Sequence, residues 1–184
     1  MEDFCCKGCR ELKSQRHHRV NFGIINKMKN IFIFLTIVIF ISACGKQSNI
    51  ELNLQQSEIF LEQNLLNSEV IEIEPGLQYI ILETSKSDAS SPKLEDIITA
   101  DFHGTLMDGS VFWSSIEIGE PLTIKLSQLI PGCQKLISRM QEGDFWRVFI
   151  HPDLAYGKEG RPTIPPNSVL TFDIKLHAIE QEIL

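Results

Sequence analysis

Asp153-Leu154-Ala155-Tyr156-Gly157, then Ile164-Pro165-Pro166-Asn167, then Leu170-Thr171-Phe172-Asp173, is the stretch that decides the fold. One tyrosine stands on a loop, a Gly- and Pro-rich turn follows, and the chain returns to an apolar strand. Upstream, Asp101-Phe102-His103-Gly104-Thr105-Leu106-Met107-Asp108-Gly109-Ser110-Val111-Phe112 is the second informative segment. Its Asp108-Gly109 pair is a hairpin signal.

Working outward, Leu77, Tyr79 and Ile81 begin a strand after Gly76, and Thr84 to Leu94 reads as a loop rich in Ser, Lys, Asp and Pro. Ile97 to Leu106 and Val111 to Trp113 flank the hairpin turn. Leu122, Ile124 and Leu126 alternate with polar neighbours as a half-buried strand should. Leu129 to Met140 changes period: Ile130, Cys133, Leu136, Ile137 and Met140 recur at helical spacing, Pro131 suits the first helical position, and Gly143 follows the end. Phe145 to Ile150 is a strand apolar on both faces, and Val169 to Ile179 is the last strand. The expected fold class is α+β, a strongly bent antiparallel sheet wrapped around one short α-helix. Residues 76–184 form this domain, large enough to fold without disulfides.

The chain has 184 residues, 43% apolar and 22% charged, ordinary for a globular protein. Its charge is unevenly spread. Residues 1–43 hold seven Lys/Arg against three Asp/Glu, leaving residues 44–184 with ten against twenty-one, a net of −11. An acidic folded part argues against nucleic acid as a partner, because phosphates are met by basic surface. It argues equally against a polybasic membrane patch.

Ile31 to Ile41 is an apolar run broken only by Thr36, preceded by Lys27 and Lys29. It is too short to span a hydrocarbon core of about 30 Å comfortably and has the length of a signal-peptide h-region. It ends in Ile41-Ser42-Ala43-Cys44-Gly45, which resembles a bacterial lipobox. That resemblance implies lipid on Cys44, a cell-envelope location, and, from Gly45, the outer membrane facing the periplasm. The competing reading is a transmembrane anchor with an incidental cysteine. Met28 gives a signal of normal size over 28–43, so residues 1–27 are surplus to it. Cys5, Cys6 and Cys9 fall there, and nothing nearby completes a metal site. Residues 44–75 are expected to be a tether over Gln47 to Asn53 and a short helix over Leu54 to Asn67, capped by Asn53 or Ser57.

Taken together, the motifs around Phe102, Phe112, Tyr156 and Phe172 resemble the FKBP-type peptidyl-prolyl isomerases. The likeness covers residues 76–180, and Phe60-Leu61-Glu62-Gln63-Asn64 followed by Gly76-Leu77-Gln78-Tyr79 is similar to the macrophage-infectivity-potentiator branch, with a shorter helical arm. The resemblance implies catalytic roles for Phe102, Phe112, Tyr156 and Phe172. It implies substrate contacts at Trp113, Leu122, Ile124, Leu129, Ile130, Cys133 and Ile164. The Ile130 N–H would hold a ligand carbonyl, and the Tyr156 hydroxyl would donate to bound peptide. Ser114 and Ser115 keep the family's serines. Three positions depart from its pattern: Trp113 replaces an aspartate, Cys133 a tryptophan, and Phe102 a tyrosine. The implied partners are proline-containing polypeptides and macrolide inhibitors; no metal and no cofactor is implied.

Chemically, a dry aromatic pocket suits prolyl isomerisation. Twisting an Xaa-Pro bond removes amide resonance, so a water-poor pocket favours the less polar twisted amide, and proline is an apolar ring without an N–H. Read by periodicity alone, Phe102, Phe112 and Phe172 are core before they are cleft, and the family resemblance reverses that preference. Trp146 reads as core, His151 as a solvated loop residue, His103 as outward-facing, and Asp101 and Asp173 do not form a carboxylate pair. Trp113 and Cys133 also suit a rival function, a membrane-anchored module or chaperone that binds proline segments with little turnover.

Overall fold

The computed structural model describes residues 49–85 and 90–181. The signal segment, Cys44, and Cys5, Cys6 and Cys9 lie outside them. The described residues belong to one compact unit beginning at Asn49.

Its first element is a helix, α1, over residues 49–64. It starts ahead of Leu54, inside the stretch expected as tether, and stops short of Asn67. Beyond it the backbone tightens into i→i+3 turns, with Leu66 N–H on Gln63 O and Asn67 N–H on Asn64 O. Asn53 and Ser57 are therefore not caps. They sit within the helix and reach distant partners described below.

Seven strands form one antiparallel sheet: β1 (Ile71–Glu74), β2 (Leu77–Glu83), β3 (Ile97–Thr105), β4 (Val111–Ser114), β5 (Leu122–Lys125), β6 (Phe145–Ile150) and β7 (Leu170–Glu180). The order is β1-β2-β6-β7-β3-β4, with β5 also paired to β3. Strand β3 is the pivot. One of its edges runs along β7, while the other pairs first with β5 (Ala100 opposite Leu122) and then with β4 (Gly104 opposite Trp113). At two register breaks along it the partners carry an extra residue, His177 on β7 and Phe112 on β4, and such bulges bend a sheet. Strand β1 was not expected, although Ile71-Glu72-Ile73-Glu74 alternates with period two.

One face of the sheet is dry. Ile98, Ala100 and Phe102 on β3 and Leu170, Phe172, Ile174 and Leu176 on β7 are buried at alternate positions. Helix α3 (Pro131–Ile137) lies against this face with Cys133, Leu136 and Ile137 buried. A methyl on Gly132 would collide with Ile150, so the helix backbone approaches β6 as closely as a glycine permits. The helix is shorter than the expected Leu129–Met140. Ile130 is its extended N-cap and Pro131 its first residue, while Arg139 and Met140 close single turns past Ile137. A one-turn helix, α2 (Ser115–Ile118), was also not expected. Ser114 Oγ accepts from Glu117 N–H and Gly119 ends it at φ 85°.

The reverse face is covered in part by α1. Leu61, Phe149 and Val169 form a buried cluster, and Phe60 meets Phe149 edge-on with centroids 6.0 Å apart. This explains why β6 is apolar on both sides: Trp146, Val148 and Ile150 serve the main core, and Phe149 serves the helix. Trp146 is buried and stacked on Tyr79 at 4.4 Å, as a core residue should be.

Candidate functional site

The bend of the sheet leaves a cleft of about 490 Å³ between β3, β4, the start of α3 and the loop joining β6 to β7. Phe102 from β3 and Phe172 from β7 meet at 6.2 Å with planes 82° apart, and Phe172 meets Phe112 of β4 at 5.3 Å and 84°. Trp113 joins edge-on to Phe102 at 6.1 Å. Edge-to-face contacts of this kind fix ring orientation as well as burying area. Phe102 and Phe172 are almost wholly buried, whereas Phe112 and Trp113 are half-exposed toward the opening. Gly104 makes the arrangement possible: a Cβ there would lie 2.6 Å from Phe112 Cζ and 2.9 Å from Phe172 Cε1.

Phe102 is held from behind. Its N–H donates to Ser115 Oγ at 3.0 Å, and that buried hydroxyl donates to Asp101 Oδ1 at 3.0 Å. Ser114 Oγ pairs with His103 Nδ1 at 3.0 Å. The two serines, at the end of β4 and the start of the turn that follows, thus bind this segment to β3 behind the aromatic wall and leave the wall itself apolar.

Leu129, Ile130 and Cys133 supply the side of the cleft nearest α3, and Leu122 adds to it from β5. Opposite, Tyr156 and Ile164 come from the loop. Gly157 (φ 53°) and Gly160 (φ 62°) turn this loop back on itself, and paired backbone bonds between Arg161 and Ile164 (2.8 and 2.9 Å) close its tip. Ile164 is buried, and the Arg161 guanidinium lies 4.9 Å over the Tyr156 ring. Among the described residues, neither the Ile130 N–H nor the Tyr156 hydroxyl has a protein acceptor. An apolar cleft therefore contains two hydrogen-bond donors free for a guest.

Comparison with known proteins gives the same answer as the site. The family model for "FKBP-type peptidyl-prolyl cis-trans isomerase" matches residues 88–177. The peptidyl-prolyl cis-trans isomerase Mip of Coxiella burnetii is 36% identical over 131 residues, which are 71% of this chain and 56% of that protein. The outer membrane protein MIP of Legionella longbeachae is 36% identical over 133 residues, again 71% and 56%. The crystal structure of FkpA from Escherichia coli superposes with a TM-score of 0.72 at 28% identity, covering 91% of this chain and 82% of that one. This chain belongs to the FKBP-type peptidyl-prolyl cis-trans isomerase family. It spans little more than half the length of the two Mip relatives.

Within this FKBP-type domain, the structure brings ten of the eleven expected cleft residues together and leaves out Ile124. On β5 Leu122 lies opposite Ala100, two residues from Phe102, whereas Ile124 lies opposite Ile98, four residues away. At about 3.3 Å per residue that is a further step of about 7 Å, and Ile124 packs against the core instead. Three lining residues were not expected: Gln128, Arg161 and Thr163. Gln128 ends a 3-10 turn (Leu126–Gln128) and the other two lie in the β6–β7 loop, so neither periodicity nor apolar character marks them.

The remaining titratable candidates are structural. Asp101 pairs with His177 at 2.7 Å, and Asp173 makes a forked pair with Arg147 at 2.6 and 2.8 Å. Donating to the Asp173 carboxylate raises the Arg147 pKa. His151 Nδ1 accepts from Asp153 N–H outside the cleft. Burial pushes the Cys133 thiol up to about 12, so at neutral pH it is a small apolar wall group and not a nucleophile.

Proposed function

We propose that this protein catalyses cis–trans isomerisation of Xaa-Pro bonds in polypeptides of the bacterial envelope. The observation that carries the reading is the combination of an apolar cleft walled by Phe102, Phe112 and Phe172 with two unpartnered donors, Ile130 N–H and Tyr156 O–H.

The physical task is to lower a barrier of roughly 18–20 kcal/mol between states that differ by only about 0.5–1 kcal/mol. No bond is made or broken. In the planar amide, resonance places charge on the carbonyl oxygen and gives the nitrogen a partial positive character. In the twisted transition state that charge separation collapses. Phenylalanine edges offer nothing to solvate the planar dipole, so the planar form loses more on entering the cleft than the twisted form does. That difference is catalysis by preferential binding of the transition state. Ile130 N–H and Tyr156 O–H would anchor the flanking carbonyls while the central amide rotates, supplying fixed donors without reorganisation. Each factor of ten in rate requires about 1.4 kcal/mol of such preference.

The three departures from the family pattern leave the cleft open. Trp113 lies along the wall beside Phe102 and adds aromatic surface. Cys133 is smaller than the tryptophan common at its position and makes the floor roomier, which supports prolyl segments with bulky neighbours and a weakened grip on macrolides. The name of the Legionella longbeachae relative, an outer membrane protein, supports an envelope location. The lipobox ending at Cys44 further supports a lipid anchor, with Gly45 favouring the outer membrane.

The deciding experiment is the exchange rate of short Xaa-Pro peptides, followed by NMR without a coupling protease, together with proline-limited refolding of a test protein. Acceleration that falls about tenfold in a folded Phe112→Ala variant is expected. Peptide binding with no acceleration would replace the enzyme by a holding module. Radiolabelled palmitate should be incorporated in cells expressing the full chain and not in those expressing Cys44→Ala; labelling of the variant would remove the anchor.

A further inference from the structure

We infer that helix α1 is a positioning element for the prolyl cleft, acting through Ser57 and Asn53 on the loop that carries Ile164. This rests on the cleft being the prolyl site.

The loop from Ile164 to Val169 makes few backbone hydrogen bonds of its own. Pro165 and Pro166 contribute no N–H, and Asn167 is the one non-glycine at positive φ (56°) among the described residues. Its remaining polar groups are taken up largely by α1. Ser57, fully buried, donates from Oγ to Asn167 O at 2.8 Å and accepts at the same atom from Val169 N–H at 3.0 Å. Asn53 Nδ2 donates to Pro166 O at 2.6 Å and reaches Ser168 Oγ at 3.3 Å. In return, Asn167 Nδ2 donates to Ile50 O at 3.1 Å. On the loop's other side Asn167 N–H donates to Gly157 O at 2.8 Å, and the loop passes so close to Gly160 that a Cβ there would sit 2.9 Å from Pro166 N.

The loop is thus clamped between α1 and the Tyr156–Gly160 turn. Ile164, two residues from the clamped carbonyl of Pro166, lines the cleft, as does Tyr156 at the start of the turn on which the loop rests. Releasing the helix side lets the loop sample positions in which the wall at Ile164 is absent. A guest then binds only the fraction of molecules with the wall in place, so its apparent affinity falls by that fraction. Once it is bound the wall is complete and the rotation step is unaltered. The signature is a raised KM with little change in kcat. Partial unfolding would do the reverse, lowering apparent kcat by removing active molecules while leaving KM alone.

The test measures kcat and KM on a short Leu-Pro peptide, with amide hydrogen exchange, for the wild type, Ser57→Ala, Ser57→Thr and Asn53→Ala. Ser57→Ala removes both hydrogen bonds of the buried hydroxyl and is expected to raise KM by at least about three- to tenfold, with kcat within about twofold. Exchange should quicken at Ile164, Asn167 and Val169 and stay slow in β6 and β7. Ser57→Thr keeps the hydroxyl and should restore KM. Asn53 is half-exposed, so Asn53→Ala should fold even if Ser57→Ala does not, and raise KM about twofold. Unchanged KM in both alanine variants, or a fall in kcat alone, overturns the inference. A wild type that binds the peptide without isomerising it would instead defeat the enzymatic reading. The peptide dissociation constant and loop exchange would still decide whether α1 holds the loop.

Discussion

Gly104→Ala puts one methyl where the cleft's two central rings meet. Ordinary contact for such a methyl begins at 3.4 Å, and Phe112 Cζ would be at 2.6 Å, so that ring must retreat by about 0.8 Å. Phe172 Cε1, at 2.9 Å, must give about 0.5 Å. Phe172 is buried against Phe102 and has nowhere to go. Phe112 is half-exposed, so it is the ring that swings, and the open space beside it is the cleft. Strain of this kind costs about 1–3 kcal/mol, which lowers Tm by about 3–12 °C in a domain of this size. Misplacement of a wall by nearly 1 Å is expected to reduce kcat/KM by about ten- to hundredfold. Calorimetry reads the first quantity and peptide exchange NMR the second. Adding Phe112→Leu to Gly104→Ala relieves the larger of the two collisions and should recover part of the stability but not the rate. A Gly104→Ala protein with the expected drop in Tm but wild-type kcat/KM would show that the Phe112–Phe172 corner does not contact the reacting amide.

Cys133 gives a prediction in pH. Its thiol is raised from an ordinary 9.0 to about 12 by burial, so above pH 9 the unfolded chain ionises while the folded one stays neutral. The stabilisation is complete below pH 9 and declines as pH rises toward 12, with a slope of at most about 1.4 kcal/mol per pH unit. Denaturant titrations from pH 8 to 11 should show Cys133→Val losing less stability than the wild type; parallel curves would refute the assignment. The Arg147–Asp173 fork lies on a half-exposed face, so Arg147→Ala should cost no more than about 1 kcal/mol, and less in 1 M salt. A loss above 2 kcal/mol in urea unfolding would mean the pair does more than surface charge matching.

How much of this was legible in the sequence depends on what each signal reports. Strands β3, β6 and β7 alternate or run apolar because the sheet buries one face, and that pattern can be read directly. Cleft residues such as Phe102, Phe112 and Phe172 could not be separated from core by period, since a cleft wall and a core are made of the same rings. Resemblance to a family supplied the distinction. Gln128 escaped because it ends a single 3-10 turn (Leu126–Gln128), too short for a period to show, and Arg161 and Thr163 because the path of their loop is set by Gly157, Gly160 and two prolines and not by repeat. Ile124 was included because it shares a face with Leu122, and a shared face does not fix distance along a strand. Helix α2 had a readable signature, Ser114 three residues before Glu117 with Gly119 after it, but one turn is below the length at which periodicity speaks. Asn53 and Ser57 have the chemistry of caps. Only the fold reveals that their hydrogen bonds go more than 100 residues away in sequence.

The placement of the two tryptophans has a practical consequence. Trp146 is sealed in the core against Tyr79, and Trp113 stands at the mouth of the cleft against Phe102. One indole therefore reports whether the domain is folded and the other whether a guest has arrived. With Trp146 replaced by phenylalanine, the emission that remains comes from the cleft alone. Occupancy by an unlabelled peptide then becomes a direct optical titration, and any client offered to the protein can be ranked without attaching a dye.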